Sequence, residues 1–177
     1  FDGFSATFGE MPSPTPSPTP SPGVTPSPSP SYPTPSPTPA VGGLSCTGCT
    51  GCDPYTGASW AISDGSGSSN YPSNALCEWI FTTSSSARNA KITFSAFELE
   101  DNPDYDYVKI YSCTDSTCSS SSMTLIETMY GDGQGNVGVA IEGTTNVMRV
   151  EFKSDGSAEF DGFSATFGEM PSPTPSP

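Results

Sequence analysis

From about residue 45 onwards, short apolar runs alternate with polar, turn-rich segments, and this pattern predicts β-strands. The runs lie at Cys77–Thr83, Lys91–Leu99, Tyr105–Cys113, Thr124–Tyr130, Val137–Ile141, Val147–Lys153 and Gly162–Phe167. Segments such as DGSGSSN (64–70) and GDGQGN (131–136) separate them. No stretch has a convincing helical period of 3.6 residues. Strands of this number and spacing predict an all-β fold, an antiparallel β-sandwich or jelly roll.

Residues 11–40 have a different pattern, with thirteen prolines, twelve serines or threonines and no charged residue. Alternating proline excludes helix and sheet, because every second residue lacks an N–H and each residue before a proline is held extended. The pattern therefore predicts a polyproline II arm, which at ~3.1 Å per residue spans roughly 90 Å.

The hydroxyl groups of this arm are candidate O-glycosylation sites, because a two-residue repeat on a three-residue helix turns them to all three faces. The candidates are Ser13, Thr15, Ser17, Thr19, Ser21, Thr25, Ser27, Ser29, Ser31, Thr34, Ser36 and Thr38. The chain has no Asn-x-Ser/Thr acceptor, so the expected glycans are O-linked. A bare flexible spacer is the alternative.

The arm also resembles the Ser/Thr-Pro tracts of algal and plant hydroxyproline-rich glycoproteins, and it looks like the linkers of secreted bacterial cellulases. The first resemblance implies hydroxylated and glycosylated prolines. Their positions are Pro12, Pro14, Pro16, Pro18, Pro20, Pro22, Pro26, Pro28, Pro30, Pro33, Pro35, Pro37 and Pro39.

Residues 160–177 repeat residues 1–18 letter for letter, as FDGFSATFGEMPSPTPSP, at an offset of 159. This repeat predicts a segment of a longer tandem array. Its parts are the last strand of a preceding repeat (1–10), the arm (11–40), a sandwich module (41–169) and the start of the next arm (170–177). We expect an in-line array in which residues 160–167 close their own module and residues 1–8 close the preceding one. Insertion of residues 1–8 into a neighbouring chain's sheet is the alternative.

The charge and the missing histidine exclude several functions. Nineteen acidic residues against five basic residues give a net charge of −14, and there is no histidine. So few bases exclude nucleic acid and anionic membrane surfaces as partners. Without histidine there is no Ser-His-Asp or Cys-His nucleophile and no histidine-ligated zinc. Glu98 and Glu100 could be imagined as a glycosidase pair, but nothing else supports hydrolysis, and we do not expect an enzyme.

Five segments of the chain resemble a CUB domain, in the order and at the spacing of that family. They are YPSNALCEWIF (71–81), KITFSAFELE (91–100), DYDYVKIY (104–111), MRVEFKSD (148–155) and DGFSATF (161–167). The resemblance covers essentially all of residues 46–167. It implies an extracellular jelly-roll module that serves in binding and has no catalytic activity of its own.

Six cysteines in a small, secreted-looking module indicate three disulfides: Cys46, Cys49, Cys52, Cys77, Cys113 and Cys118. Cys113 and Cys118 are close enough to close a small loop. The CUB resemblance implies that Cys77, which precedes Trp79, pairs with one cysteine of the 46–52 segment, while the other two pair together. A CxxCxxC metal site in that segment is the alternative, although it lacks a fourth ligand nearby. The family's usual second bridge is missing, since the residues before the Tyr-Asp element contain Pro103 and no cysteine.

Acidic residues are crowded into residues 98–106: Glu98, Glu100, Asp101, Asp104 and Asp106. Such a run is often only a solvated loop. Asp106, however, shares the strand phase of Val108 and Ile110, which are expected to face the core. A buried carboxylate is costly unless it is neutralised, and calcium, which takes six to eight oxygen ligands, suits such a loop.

The CUB resemblance implies which acids bind calcium. Many members use a Glu at the end of the F-x-L-E strand, the Asp of the Tyr-Asp pair and the Asp that follows F-x-S. These positions correspond to Glu100, Asp106 and Asp155, with backbone oxygens near Ser157 as further ligands.

The sequence therefore predicts a structural component of an extracellular glycoprotein fibril. CUB-like modules would alternate with O-glycosylated arms, with identical repeats as head-to-tail partners and with calcium and covalent O-glycans bound. The alternative is a calcium-dependent protein- or carbohydrate-binding module of a secreted multi-domain protein with inert linkers. An exposed aromatic platform formed by Tyr55, Trp60 or Tyr71 would favour that alternative.

Overall fold

The structure is a computed structural model that describes Leu44, residues 46–49 and residues 51–171. The segment 1–10, the arm 11–40 with all of its candidate glycosylation sites, and the next arm from residue 172 lie outside the described residues. The described part contains strands and no helix. The strands are β1 (Cys46–Thr47), β2 (Tyr55–Gly57), β3 (Ser59–Ser63), β4 (Leu76–Thr83), β5 (Ala90–Glu98), β6 (Tyr107–Cys113), β7 (Met123–Met129), β8 (Ala140–Glu142), β9 (Val147–Lys153) and β10 (Gly162–Glu169).

The strands form two sheets, so the predicted all-β fold class is confirmed. One sheet has the order β1-β4-β9-β6-β7, and the other has the order β3-β10-β5-β8. Every pairing is antiparallel except that of β2, which runs parallel to β4 beyond the end of β1. β10, the last strand in sequence, therefore lies inside its sheet, between β3 and β5.

The predicted strands agree with the structure within one or two residues at most ends, with two informative differences. The predicted strand at Val137–Ile141 is shifted to β8, because Val137 and Val139 belong to a turn and are exposed. The predicted start at Tyr105 is two residues early. There the amides of Tyr105 and Asp106 both donate to the carbonyl of Asn102, which makes a turn before β6.

The core lies between the sheets and is rich in aromatic side chains. Phe163 of β10 contacts the ring of Phe152 of β9 in the facing sheet, with ring centroids 5.4 Å apart. Phe167 stacks on Phe81 of β4 at 5.1 Å. Full burial of one such side chain contributes about 1.5–3 kcal/mol, so β10 is a principal contributor to the stability of the module.

All six cysteines are paired, as the cysteine count predicts. The bonds are Cys46–Cys52, Cys49–Cys77 and Cys113–Cys118. The alternative of a metal site in the 46–52 segment is therefore wrong, because its three sulfur atoms are already bonded. Cys77 sits on β4 next to β1, where Cys46 is its backbone partner, but it is Cys49 that its side chain reaches.

Candidate metal centre

Three loops bring together the carboxylates of Glu100, Asp106 and Asp155. Glu100 follows β5, Asp106 precedes β6, and Asp155 follows β9. One carboxylate oxygen from each of the three residues lies within 4.8 Å of the others. We call these three residues the acidic cluster.

Asp106 occupies the buried end of the acidic cluster. It is fully buried, as its strand phase predicts. Its Oδ2 accepts a hydrogen bond from the Tyr71 hydroxyl at 2.5 Å, and its Oδ1 accepts one from the Asp155 amide at 2.7 Å. Both carboxylate oxygens are therefore held in place, and the second bond ties the loop after β9 to the loop before β6.

Tyr71 links all three loops through one hydroxyl group. Besides donating to Asp106, the hydroxyl accepts the amide N–H of Glu100 at 3.2 Å and lies 3.2 Å from the Ala158 carbonyl. Burial, with the Asp106 carboxylate beside it, raises the pKa of Tyr71 well above its usual value, so the hydroxyl keeps its proton at neutral pH. The ring packs edge-on against Phe152, which fixes the position of the hydroxyl.

Glu100 carries the clearest sign of a missing partner. Its Oε2 is buried and has no hydrogen-bond partner. Desolvation raises the pKa of Glu100, and the charges of Asp106 and Asp155 raise it further. A buried polar atom without a partner is uncommon in native structures, and here it is a carboxylate oxygen that faces like charges.

No basic side chain among the described residues neutralises the acidic cluster. The described ion pairs are Arg88–Glu169, Arg149–Glu78 and Arg149–Glu151. The oxygens of three carboxylates and of the backbone carbonyls in the surrounding loops are hard donors. This is the donor set that Ca²⁺ prefers. The residues present therefore fit a calcium ion.

The other acids of the 98–106 run do not join the acidic cluster. Glu98, Asp101 and Asp104 are exposed, so the solvated-loop alternative holds for these three. Ser157 lies in the loop after β9, together with Asp155, and its amide donates to Asp155 Oδ1 at 2.9 Å.

Tyr71 is the site residue that sequence reasoning missed, because the sequence indicates it only as a candidate for an exposed aromatic platform and not as a partner of the acidic cluster. The available signal was a tyrosine in the CUB-like segment YPSN. A buried tyrosine hydroxyl needs a polar partner, but its partner Asp106 lies 35 residues away.

The three candidate aromatic residues do not form an exposed platform. Tyr71 is only 1% exposed. Tyr55 and Trp60 are half-buried and stack on each other, with ring centroids 5.2 Å apart. Trp60 also stacks on Phe167 of β10, so both rings cover the edge of the core.

The family model of the CUB domain matches residues 49–167, which confirms the resemblance seen in the sequence. Cubilin from Sus scrofa is 34% identical over 125 residues, covering 66% of this chain and 3% of cubilin. The structure of the full extracellular region of zebrafish Gpr126/Adgrg6 aligns with a TM-score of 0.54 at 25% identity, covering 70% of this chain and 15% of that one. The MASP-1 CUB2 domain bound to Ca²⁺ aligns with a TM-score of 0.52 at 20% identity, covering 70% of this chain and 99% of that domain.

The chain spans only 3% to 22% of the length of the first curated relatives that it matches. Within the described residues there is no helix that could cross a membrane.

Proposed function

The chain belongs to the CUB domain family, and from this premise we propose that its module is a calcium-binding, non-catalytic unit of an extracellular protein. The observation that carries the proposal is the acidic cluster, with a buried oxygen of Glu100 left without a partner. The Ca²⁺-bound MASP-1 domain, which has the same fold, supports it.

In this proposal Glu100, Asp106 and Asp155 hold the ion, and backbone oxygens near Ser157 complete its coordination. The ion supplies positive charge that the described residues do not provide at this place. The hydroxyl of Tyr71 holds the Asp106 carboxylate and the Glu100 backbone next to each other by hydrogen bonds to both. The loops after β5 and β9 are then held to the loop before β6, which stabilises one end of the sandwich.

Calorimetric titration of the calcium-free chain tests the proposal. We expect one calcium ion to bind, and we expect Asp106→Asn to weaken binding at least tenfold. Asp104→Asn, which removes the same charge from an exposed residue two positions away, is the matched control and should bind as the wild type does. Equal affinities of the two variants, or no binding to the wild type, would exclude the acidic cluster as the site.

We further propose that such modules repeat along an extracellular glycoprotein fibril, separated by O-glycosylated, hydroxyproline-bearing arms. The identical segments 1–18 and 160–177 support a repeat of this period. The amide of Met170 donates to the carbonyl of Asn89 at 2.9 Å, which holds the residue after β10 on the module, and Pro171 beyond it is exposed.

Intact mass before and after chemical deglycosylation tests the fibril proposal. We expect a large loss of mass that peptide mapping assigns to residues 12–39. A mass equal to that of the bare polypeptide would make the arm a plain spacer, and it would favour the second candidate function, a calcium-dependent binding module.

One observation favours that second function. Tyr105 is 47% exposed, so an aromatic side chain lies on the surface one residue before the proposed ligand Asp106. A binding screen against secreted proteins and glycans, with and without calcium, would detect such a ligand. Tyr105→Ala should abolish the interaction while leaving calcium affinity unchanged.

A further inference from the structure

β10 fills a slot between two other strands of its sheet. It pairs with β5 along its whole length, from Gly162 to Glu169, and with β3 from Ser164 to Gly168. Its inward side chains Phe163, Ala165 and Phe167 are at most 3% exposed. The slot therefore recognises a strand by main-chain hydrogen bonds on both sides and by three apolar positions at a spacing of two.

The start of the slot accepts only glycine followed by a residue with a free amide. Gly162 has a φ of +79°, and a Cβ there would clash with Asp64 Oδ2. That same oxygen accepts the Phe163 amide at 2.7 Å, while Asp64 Oδ1 accepts the Ser66 amide at 2.9 Å. Asp64 is 3% exposed and so forms a fixed acceptor for the incoming strand.

The far end of the slot recognises a glutamate. The Glu169 carboxylate accepts hydrogen bonds from the Ser84 amide and from Arg88 Nη1, the latter at 2.9 Å. Its side chain is only 4% exposed. These contacts lower the pKa of Glu169, the hydrogen bonds from Ser84 most of all, so the carboxylate is charged when it pairs with Arg88.

Residues 1–10 carry every feature that the slot requires. The sequence FDGFSATFGE supplies the glycine at Gly3, the three apolar positions at Phe4, Ala6 and Phe8, and the glutamate at Glu10. We propose that the β10 slot of one copy of this module accepts the Phe1–Glu10 segment of a second copy in place of its own strand. Copies would then be joined by strand exchange, a known route to assemblies.

Whether the slot holds its own β10 or the Phe1–Glu10 segment of a second copy depends on concentration, because the two segments have the same sequence. The module's own strand is tied to β9 by the short segment 154–161, and such a tether gives an effective concentration on the order of mM. At micromolar concentration the module's own strand should occupy the slot. A donated strand competes where copies are packed at similar density, which is the situation in the proposed fibril, and the biological setting of this inference rests on that proposal.

Four unglycosylated chains test the exchange. They are the wild type, a donor-defective chain (Phe4→Asp with Phe8→Asp), a slot-dependent chain (Phe163→Asp with Phe167→Asp) and the combination of all four substitutions. The donor-defective chain is the matched control, because the same substitutions are made in the other copy of the same segment. Near-ultraviolet circular dichroism and thermal melting report folding, and light scattering after gel filtration reports size.

We expect the wild type and the donor-defective chain to be folded monomers at micromolar concentration. The slot-dependent chain should fold only with association, so that its size and Tm rise with concentration, and the combined variant should be unfolded. A slot-dependent chain that folds as a monomer at every concentration would overturn the proposal, because its own first segment would then fill the slot.

A peptide experiment covers the case in which the substituted chains fail to fold for another reason. The synthetic peptide FDGFSATFGE should restore the folded spectrum of the combined variant in a saturable manner, whereas a scrambled peptide should not. If neither the peptide nor the slot-dependent chain produces folded module, the slot does not accept the segment in trans. Because these chains carry no glycans, such a failure is distinct from failure of the fibril proposal.

Discussion

Replacing Glu100 with glutamine should change the stability of the module in opposite directions without and with calcium. Without the ion, Glu100 places a charge beside two other carboxylates and leaves one buried oxygen without a partner. Glutamine has the same shape without that charge, so the calcium-free variant should be more stable than the calcium-free wild type at pH 7. With calcium, the same change removes one ligand, and the variant should lose most of the stabilisation that the ion gives.

The size of the calcium effect follows from linkage. At a calcium concentration 100 times the Kd, binding to the folded state alone adds about 2.7 kcal/mol. The matched module covers residues 49–167, and at ~2.1 cal/mol/K per residue its unfolding entropy is about 0.25 kcal/mol/K. The wild type should therefore gain roughly 11 °C in Tm. A variant with 100-fold weaker affinity would retain about 0.4 kcal/mol, or roughly 2 °C.

Differential scanning calorimetry in chelator and in calcium gives both quantities from the same chains. Glu98→Gln is the matched control, because Glu98 is exposed two residues earlier and lies outside the acidic cluster. Its Tm should respond to calcium as that of the wild type does. A calcium-free Glu100→Gln chain that is less stable than the wild type, yet still gains about 11 °C in calcium, would refute the assignment of Glu100 as a ligand.

Three further predictions follow from the same geometry. Tyr71→Phe should weaken calcium binding about tenfold in a calorimetric titration without removing a ligand, because Asp106 loses its hydroxyl donor; unchanged affinity would contradict this. Without calcium, the free energy of unfolding measured in urea should fall as the pH rises from the usual glutamate pKa through the raised pKa of Glu100, because folded Glu100 keeps its proton to a higher pH than unfolded Glu100 does. Saturating calcium should abolish this fall. A calcium-free stability that rises over that pH range would contradict the prediction. Gly162→Ala should cost at least about 2 kcal/mol more than Gly135→Ala in urea unfolding, since both have positive φ but only the first meets Asp64; equal costs would show that Asp64 yields.

The sequence predicted most strands because they contain apolar runs, several of which alternate between a buried and a wetter face. In β9, for example, Met148, Val150 and Phe152 are buried, while Arg149 and Glu151 between them keep part of their side chains exposed. Strands β1 and β2 are only two and three residues long, too short for a period of two to be recognised. They exist because β4 offers its edge to them, which is a tertiary effect.

The candidate site was only partly accessible to sequence. Strand phase alone indicated that Asp106 is buried, since its neighbours alternate in the same register. The choice of Glu100 and Asp155 came from the family pattern, because nothing local distinguishes Glu100 from the exposed Glu98 or Asp101. That choice depends on which loops meet in space.

By itself, the sequence determined the local properties of this chain: which segments are extended, which faces are apolar and which residues are repeated at both ends. Those properties depend on side-chain chemistry and on neighbours a few residues away. Only the tertiary structure decided that Cys77 bonds Cys49 rather than Cys46 or Cys52, and that the hydroxyl of Tyr71 joins Glu100 to Asp106. It also decided that β10 enters its sheet between β3 and β5. These pairings join residues from 28 positions apart, for Cys49 and Cys77, to 109 positions apart, for Ser59 and Gly168, and their free energy arises only when the whole sandwich closes.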